Sequence, residues 1–182
     1  MANTWGESGT TWGQGDWGQQ NVTTVTISGL SIASVLQNTF KEELLGGYHS
    51  FNASGDTPAG SAFKIALYTS SADLTTLTTA YTATAEVASG GGYTTAGEAL
   101  TNTGVAKSTV TSYTDFSDVS WTSASFTARG CLIYNTDVLS GFTTNRSVCT
   151  IDFGGNKTVS SGTFTIQFPT NDASDAIIRI TS

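Results

Sequence analysis

The chain is poor in positive charge. Its 182 residues hold seven Lys and Arg against fourteen Asp and Glu, a formal net charge of −7. The seven cations are scattered singly, so no basic patch exists to neutralise phosphates, and nucleic acid is not an expected partner. Only 12% of residues are charged, where about a quarter is usual for a soluble globular domain. No apolar run approaches the roughly 20 residues that span a bilayer, so no membrane partner is expected. No basic segment precedes an apolar one near the start, which argues against export by the secretory route. Two cysteines, Cys131 and Cys149, lie in the strand-like "GCLIY" and "SVCTIDF". Without a CxxC or Cys/His cluster they offer no zinc site. They read as small buried hydrophobes, with a bond between neighbouring strands as the other option. The two prolines, Pro58 and Pro169, fall at apparent strand boundaries, where a missing N–H does little harm.

Chemistry-bearing patterns are equally sparse. The single histidine, His49 in "GGYHSFN", would have to serve any Ser-His-Asp arrangement, yet nothing near it resembles G-x-S-x-G. It reads as a turn histidine bonded to backbone. Pairs of acids are easy to draw (Asp115 with Asp118, Asp172 with Asp175, Glu86 with Glu98), but no flanking feature singles one out as a glycosidase pair. Asp172 and Asp175 in "PTNDASDA" suit a capped turn better than a calcium loop. "GGGY" and "FGGNK" lack the order of a phosphate-binding loop and read as turns. Four N-x-S/T sequons, at Asn21, Asn52, Asn145 and Asn156, are expected by chance in a chain this rich in Asn, Ser and Thr. The expectation is a non-enzyme with no cofactor and no metal.

What the chain does have is Thr, Ser, Gly and aromatics, arranged in three parts. Residues 1–29 read as an extended Trp/Gly-rich arm ending in a short strand, "VTTVTISG". The arm holds Trp5, Trp12 and Trp17, each followed by glycine and separated only by small or polar residues. Residues 30–47 read as an amphipathic helix: Ile32, Leu36, Phe40 and Leu44 recur every four residues, with Val35 alongside. Ser31 is placed to cap its start and Gly46-Gly47 to end it. Gln37, Lys41 and Glu42 are expected to face water. Residues 48–182 are β in character, with short Thr-, Val- and aromatic-rich strands and turn signals every 8–12 residues. The fold class expected is mainly β, an antiparallel, jelly-roll-like sandwich. In "AFKIALYTS", Phe63, Ile65 and Leu67 point inward, and Lys64, Ala66 and Tyr68 outward. "RSVCTIDFGGNKTVSSGTFTIQFP" reads as two strands joined around Gly154-Gly155-Asn156. The long stretch 71–101 is a loop with a task, either an arm over a neighbouring subunit or a binding loop.

Three blocks carry a resemblance: "AFKIALYTSSADLTTLTTAYTATAEVASGGGYTTAGEALT", "VSWTSASFTARGCLIYN" and "SVCTIDFGGNKTVSSGTFTIQFPTNDASDAIIRI". Over about residues 34–182 the chain resembles a family of small virion structural proteins of tailed bacteriophages, especially marine and cyanobacterial ones. The arm's W-G-x-G-x-W-G pattern is similar to tails on marine phage virion proteins. The resemblance implies assembly in a host cytoplasm, exit by lysis within the particle, localisation in the virion and no catalytic residues.

That implied function gives the tryptophans a task. Each ring buries about 150–250 Å² when it finds a pocket, and Trp is enriched at interface hot spots. Trp5, Trp12 and Trp17 are therefore expected to dock on a neighbouring subunit; the alternatives are an idle leader and a fold back onto the arm's own domain. The Ile32, Leu36, Phe40, Leu44 stripe either covers one end of the sandwich or forms a symmetric bundle with other copies, a trimer or larger ring. Two jobs in the particle compete. One is a head decoration or cement protein held by its arm, in contact with other copies and other virion proteins. The other is a tail or fibre component touching host glycans through loop aromatics, Tyr81, Tyr93 and Trp121. A bacterial surface or filament subunit is a third class.

Overall fold

A computed structural model describes residues 22–26, 36–138 and 144–181. The arm with Trp5, Trp12 and Trp17, together with Ser31, Ile32 and Val35, lies outside the described residues. The described chain is mainly β. In order it forms β1 (Val22–Thr26), α1 (Asn38–Leu45), β2 (Phe63–Tyr68), β3 (Glu98–Leu100), β4 (Asn102–Ser108), β5 (Thr111–Phe116), β6 (Val119–Asn135), β7 (Arg146–Gln167) and β8 (Ile178–Thr181). A five-stranded sheet runs β1-β7-β6-β2-β3, and a three-stranded sheet runs β4-β5-β8. Pairing is antiparallel throughout except at the edge, where β1 lies parallel to β7, Val22 opposite Thr163. The chain crosses between sheets over short links, Thr101 after β3 and residues 117–118 before β6.

The helix is shorter than its sequence pattern. Leu36 makes an isolated bridge with Cys149, and the Gln37 N–H donates to the Val148 carbonyl at 3.1 Å. These contacts hold Gln37 extended, so helical turns begin at Asn38. Gln37, expected in water, is fully buried beside Thr150; Lys41 and Glu42 are exposed. The C-terminus follows the sequence. Gly47 takes φ +75°, its N–H reaches the Leu44 carbonyl and the Tyr48 N–H reaches that of Glu43, the pair of bonds that a left-handed glycine makes at a helix end.

β6 and β7 are long, and they stay paired by bulging. Ala128 faces Lys157 while Gly130 faces Asp152. Three extra β7 residues are accommodated there, where the sequence pattern expected a turn between two strands. The glycine-rich "FGGN" bends the strand outward without ending it, with Gly154 at φ +72° and Phe153 still buried. Smaller offsets near Ser123 and Ser161, both at positive φ, add one residue to each strand in turn and restore the register.

One core cluster takes side chains from both sheets, among them Phe63, Leu67, Ile133, Val148 and Phe164 of the larger and Phe116 and Ile178 of the smaller. A row of rings runs through it: Phe40 to Phe51 at 6.0 Å, Phe51 to Phe63 at 4.7 Å, Phe63 to Phe116 at 5.4 Å and Phe116 to Phe168 at 5.8 Å. Phe63, Ile65 and Leu67 point into this core as expected. Ala66 and Tyr68, expected outward, are buried too. They form a second cluster with Leu132 and Tyr134 on the opposite side of the sheet, covered by Ala72, Leu74 and Tyr81. The 71–101 stretch therefore lies over its own sheet, not over a neighbour. It is fastened there by Ser147 N–H to Thr79 O, Tyr81 N–H to Asn145 O and Val87 N–H to Leu67 O. Gly97 makes the close approach possible: at φ +65°, a Cβ there would stand 1.9 Å from the Ile65 carbonyl oxygen.

Candidate functional site

Polar side chains converge at three interior places. At the first, the end of α1 brings Glu43 against His49, with Nε2 2.8 Å from the Glu43 carboxylate and Nδ1 3.0 Å from the Asn135 amide. Arg146, 2% exposed, sits 3.6 Å from the same carboxylate, with its guanidinium 5.5 Å from the Tyr48 ring centre. The His49 ring stands 4.9 Å from Phe40 and 6.3 Å from Phe63. His49 thus bonds side chains, where the sequence pattern expected backbone. Burial among these rings, reinforced by the Arg146 charge, depresses its pKa from 6.5 to about 4. Burial likewise raises Glu43, against the pull of Arg146. Both shifts favour the less charged forms. The His49 side chain has no exposed surface, so no solute reaches either ring nitrogen.

The second cluster centres on Glu86. One of its oxygens accepts from Tyr93 Oη at 2.6 Å and from the Ala96 N–H at 2.7 Å; the other accepts from Tyr81 Oη at 2.6 Å. Tyr93 Oη in turn accepts the Leu67 N–H at 2.9 Å, inside the core. Burial, then the bond to Glu86, raises Tyr81 to about 12 and pushes Tyr93 up as well. The sequence carried a signal for this site, since Glu86 is the one charged residue between Asp73 and Glu98. The third place is Asp115, 1% exposed, which accepts the N–H groups of Phe116 and Ile177. Burial raises its pKa to about 6.

None of the acid pairs drawn from the sequence shares an open site. Asp118 accepts the Phe168 N–H at 2.9 Å, Glu98 is exposed on β3, and Asp172 caps its own turn through Ser174 and Asp175 N–H groups. Cys131 and Cys149 are buried and unbridged; desolvation raises both thiols, Cys149 to about 12. Among the described residues no three His, Cys, Asp or Glu side chains group as metal ligands, and no helix is long and apolar enough to cross a membrane. A shallow depression of about 120 Å³ lies between Tyr68, Leu74 and the Arg129–Asp152 ion pair, well under the roughly 300–1,000 Å³ of small-molecule sites.

The interface and glycan residues expected from sequence separate under this geometry. Leu36 and Phe40, at 3% and 0% exposure, belong to the chain's own core. They cannot form a bundle with other copies; Leu44 packs partly against the same core. Tyr93 and Trp121 are each 2% exposed and form an aromatic group with Phe126 and Phe164, so they offer no sugar platform. Tyr81 is partly exposed but stacks on Tyr134 at 4.8 Å and spends its hydroxyl on Glu86. Sequence reading missed the large apolar residues that are open: Leu45 in α1, Leu77 in the 71–101 segment, Val138 after β6, and a group of three on the smaller sheet. Val105, Val110 and Ile180, 57%, 61% and 54% exposed, all belong to the three-stranded sheet and its hairpin turn. No protein-family model, no curated protein and no solved structure matches the chain.

Proposed function

We propose that this protein is a non-enzymatic structural component of a tailed-bacteriophage virion, most concretely a head decoration or cement protein anchored by its N-terminal arm. We extend the proposal to the fold: the two sheets face each other as an antiparallel, jelly-roll-like sandwich around their shared core. The partners are other copies of the chain and neighbouring virion proteins.

One observation carries the reading. The convergent titratable groups (Glu43 with His49, Glu86 with its tyrosines, Asp115) are buried and bonded to the protein itself, whereas large aliphatic side chains stand open at the surface, three of the six among the described residues on the smaller sheet and its turn. Polar chemistry here holds the body together, and the accessible surface is suited to contact. The tail or fibre alternative is weaker, because two of its three glycan platforms, Tyr93 and Trp121, are core residues.

The test is occupancy in purified particles. Copies on the order of hundreds per particle fit decoration of a symmetric shell, whereas a handful would move the protein to the tail. Replacing Trp5, Trp12 and Trp17 together by Ala should strip the protein from the particle, and unchanged incorporation would reject the arm as its anchor.

A further inference from the structure

The open aliphatic residues of the small sheet are placed together by strand register. Val105 pairs with Thr114, which pairs with Ile178; Lys107 pairs with Ser112, which pairs with Ile180. Residues opposite one another across a ladder share a face, as do residues two apart along a strand. Val105, Ile178 and Ile180 therefore share one face. Its inner end is closed, since Thr114 and Ile178 are each 4% exposed. Val105, level with them on the β4 edge, and Ile180, one step further out on the β8 edge, are open. The core-facing side of the sheet runs on past the edge of the core.

The same tip is cationic in an acidic protein. Lys107 lies on the open face, level with Ser112 and Ile180, while Arg179, paired with Tyr113, lies on the opposite face; apart from Asp115 at the closed end these are the sheet's charged side chains. The Arg179 Nε is buried yet finds no acceptor among the described residues.

Two features argue against a second copy of the same patch as the occupant. Two aliphatic side chains and a turn valine fall far short of the roughly 800 Å² per partner that a stable interface needs. A two-fold contact through this face would also bring Lys107 close to its own copy. The N-terminal arm has the opposite character. Across residues 1–21 its charged side chains are Glu7 and Asp16, both acidic, and it holds three of the chain's four tryptophans. Those 21 residues precede Val22, the first residue of an edge strand. Fully extended they span about 70 Å, against a radius of gyration near 15 Å for a domain of this size. The arm is long enough to reach an adjoining molecule.

We propose that the arm of one copy docks on the β4–β5–β8 tip of the next. Tryptophan rings cover Val105 and Ile180, and the arm's carboxylates face Lys107, which lies on the same side of the sheet. The inference rests on the reading of the arm as the assembly element and adds the surface that receives it.

The test uses the full chain and acrylamide quenching of tryptophan fluorescence across protein concentration. Trp121, buried in every variant, supplies a constant shielded signal. The arm tryptophans should become shielded as concentration rises. Val105→Ser with Ile180→Ser should raise the concentration needed for half-shielding by about tenfold. Lys107→Glu should act in the same direction, and Asp16→Lys should partly restore binding to Lys107→Glu. Mixing the Val105→Ser/Ile180→Ser chain, whose arm is intact, with a Trp5→Ala/Trp12→Ala/Trp17→Ala chain, whose tip is intact, should restore shielding. An unchanged melting temperature confirms that the tip variants fold. Shielding that ignores concentration would show the arm folding on its own domain and overturn the inference. Shielding that depends on concentration but ignores the tip variants would overturn the inference and leave the arm as assembly element. No shielding at any concentration would overturn both.

Discussion

In the larger sheet, β2 alternates Phe63, Ile65 and Leu67 with Lys64, Ala66 and Tyr68, and all but Lys64 are buried. In the smaller sheet, β8 alternates Ile178 and Ile180 with Arg179, and only Ile178 is buried. Composition is part of the contrast, since β2 carries Phe63, Leu67 and Tyr68 where β4 and β8 carry no aromatic side chain. The rest of the difference is cover. The larger sheet has the core on one side and the 71–101 segment on the other, held by Glu86 and by backbone bonds to β2 and β7. The smaller sheet is covered at its inner end only, where Thr114 and Phe116 face the core and Asp115 bonds Ile177 on the other side. A strand's outward residues therefore say less about solvent than about which loop returns to lie on them.

The contrast is broken most strongly by emptying the covered side. Phe40 is fully buried and touches His49 and Phe51. Phe40→Ala should cost about 3–5 kcal/mol, read as a lower urea midpoint with an unchanged slope.

Acid probes the buried titratable groups beside both sheets, His49 and Glu43 near the larger and Asp115 on the smaller. His49 is depressed from 6.5 in the unfolded chain to about 4 when folded. Its contribution to stability is present above pH 6.5 and is lost as pH falls through about 4, a drop of about 3 kcal/mol. Asp115 runs the other way. Its folded value, about 6, lies above the ordinary 3.8, so its contribution is full below 3.8 and is lost as pH rises through 6. Glu43, raised by burial, acts in the Asp115 direction. The intact protein should show a shallow stability profile between pH 7 and 4. Asp115→Asn should steepen the acid loss, and His49→Gln should reverse the slope, so that stability rises as pH falls. Chemical denaturation at each pH measures both, and an Asp115→Asn profile that matches wild type would reject the assignment.

Taking away the cover's fastening has a more local effect. Glu86→Ala strands the hydroxyl of Tyr93 and the N–H of Ala96 without acceptors. Each unsatisfied buried group costs about 1–3 kcal/mol. The loss should appear as faster hydrogen exchange in residues 86–97 and in β2 beneath them, so that the larger sheet comes to resemble the smaller.

Local signals in the sequence were reliable where the decisive contacts are local. The Gly46-Gly47 helix end, the Asp172 turn and the inward Phe63, Ile65, Leu67 set are all read from neighbours within a few residues. What was not legible depends on distant chain. Leu36 and Gln37 leave the helix pattern because Val148 and Cys149 offer them sheet bonds. The "FGGN" turn signal yields a bulge because β6 continues beside it. Tyr93 and Trp121 are hidden because a glycine-broken segment folds back onto β2 and β6, with Ser125 N–H bonding Gly91 O. His49 meets Asn135 across 86 positions, a contact that no periodicity encodes. The isolated acid Glu86 was the one site signal the sequence offered in advance, because a lone charge in a Thr/Ala run needs bonded partners if it is buried.

The smallest effect is the most informative about the comparison. Ile180 is 54% exposed at the open end of the small sheet. Replacing it by Ser removes little packed surface, so stability should change by no more than about 0.5 kcal/mol. The β-branched side chain favours the strand modestly, and part of even that small change would come from propensity. If thermal unfolding of the isolated, dilute protein instead showed a loss near that of Phe40→Ala, Ile180 would already be covered within its own molecule. The small sheet would then be closed like the large one, with no face left for another chain. A near-silent substitution in dilute solution that weakens association at higher concentration is the combination that separates a surface built for contact from a core that is merely incomplete.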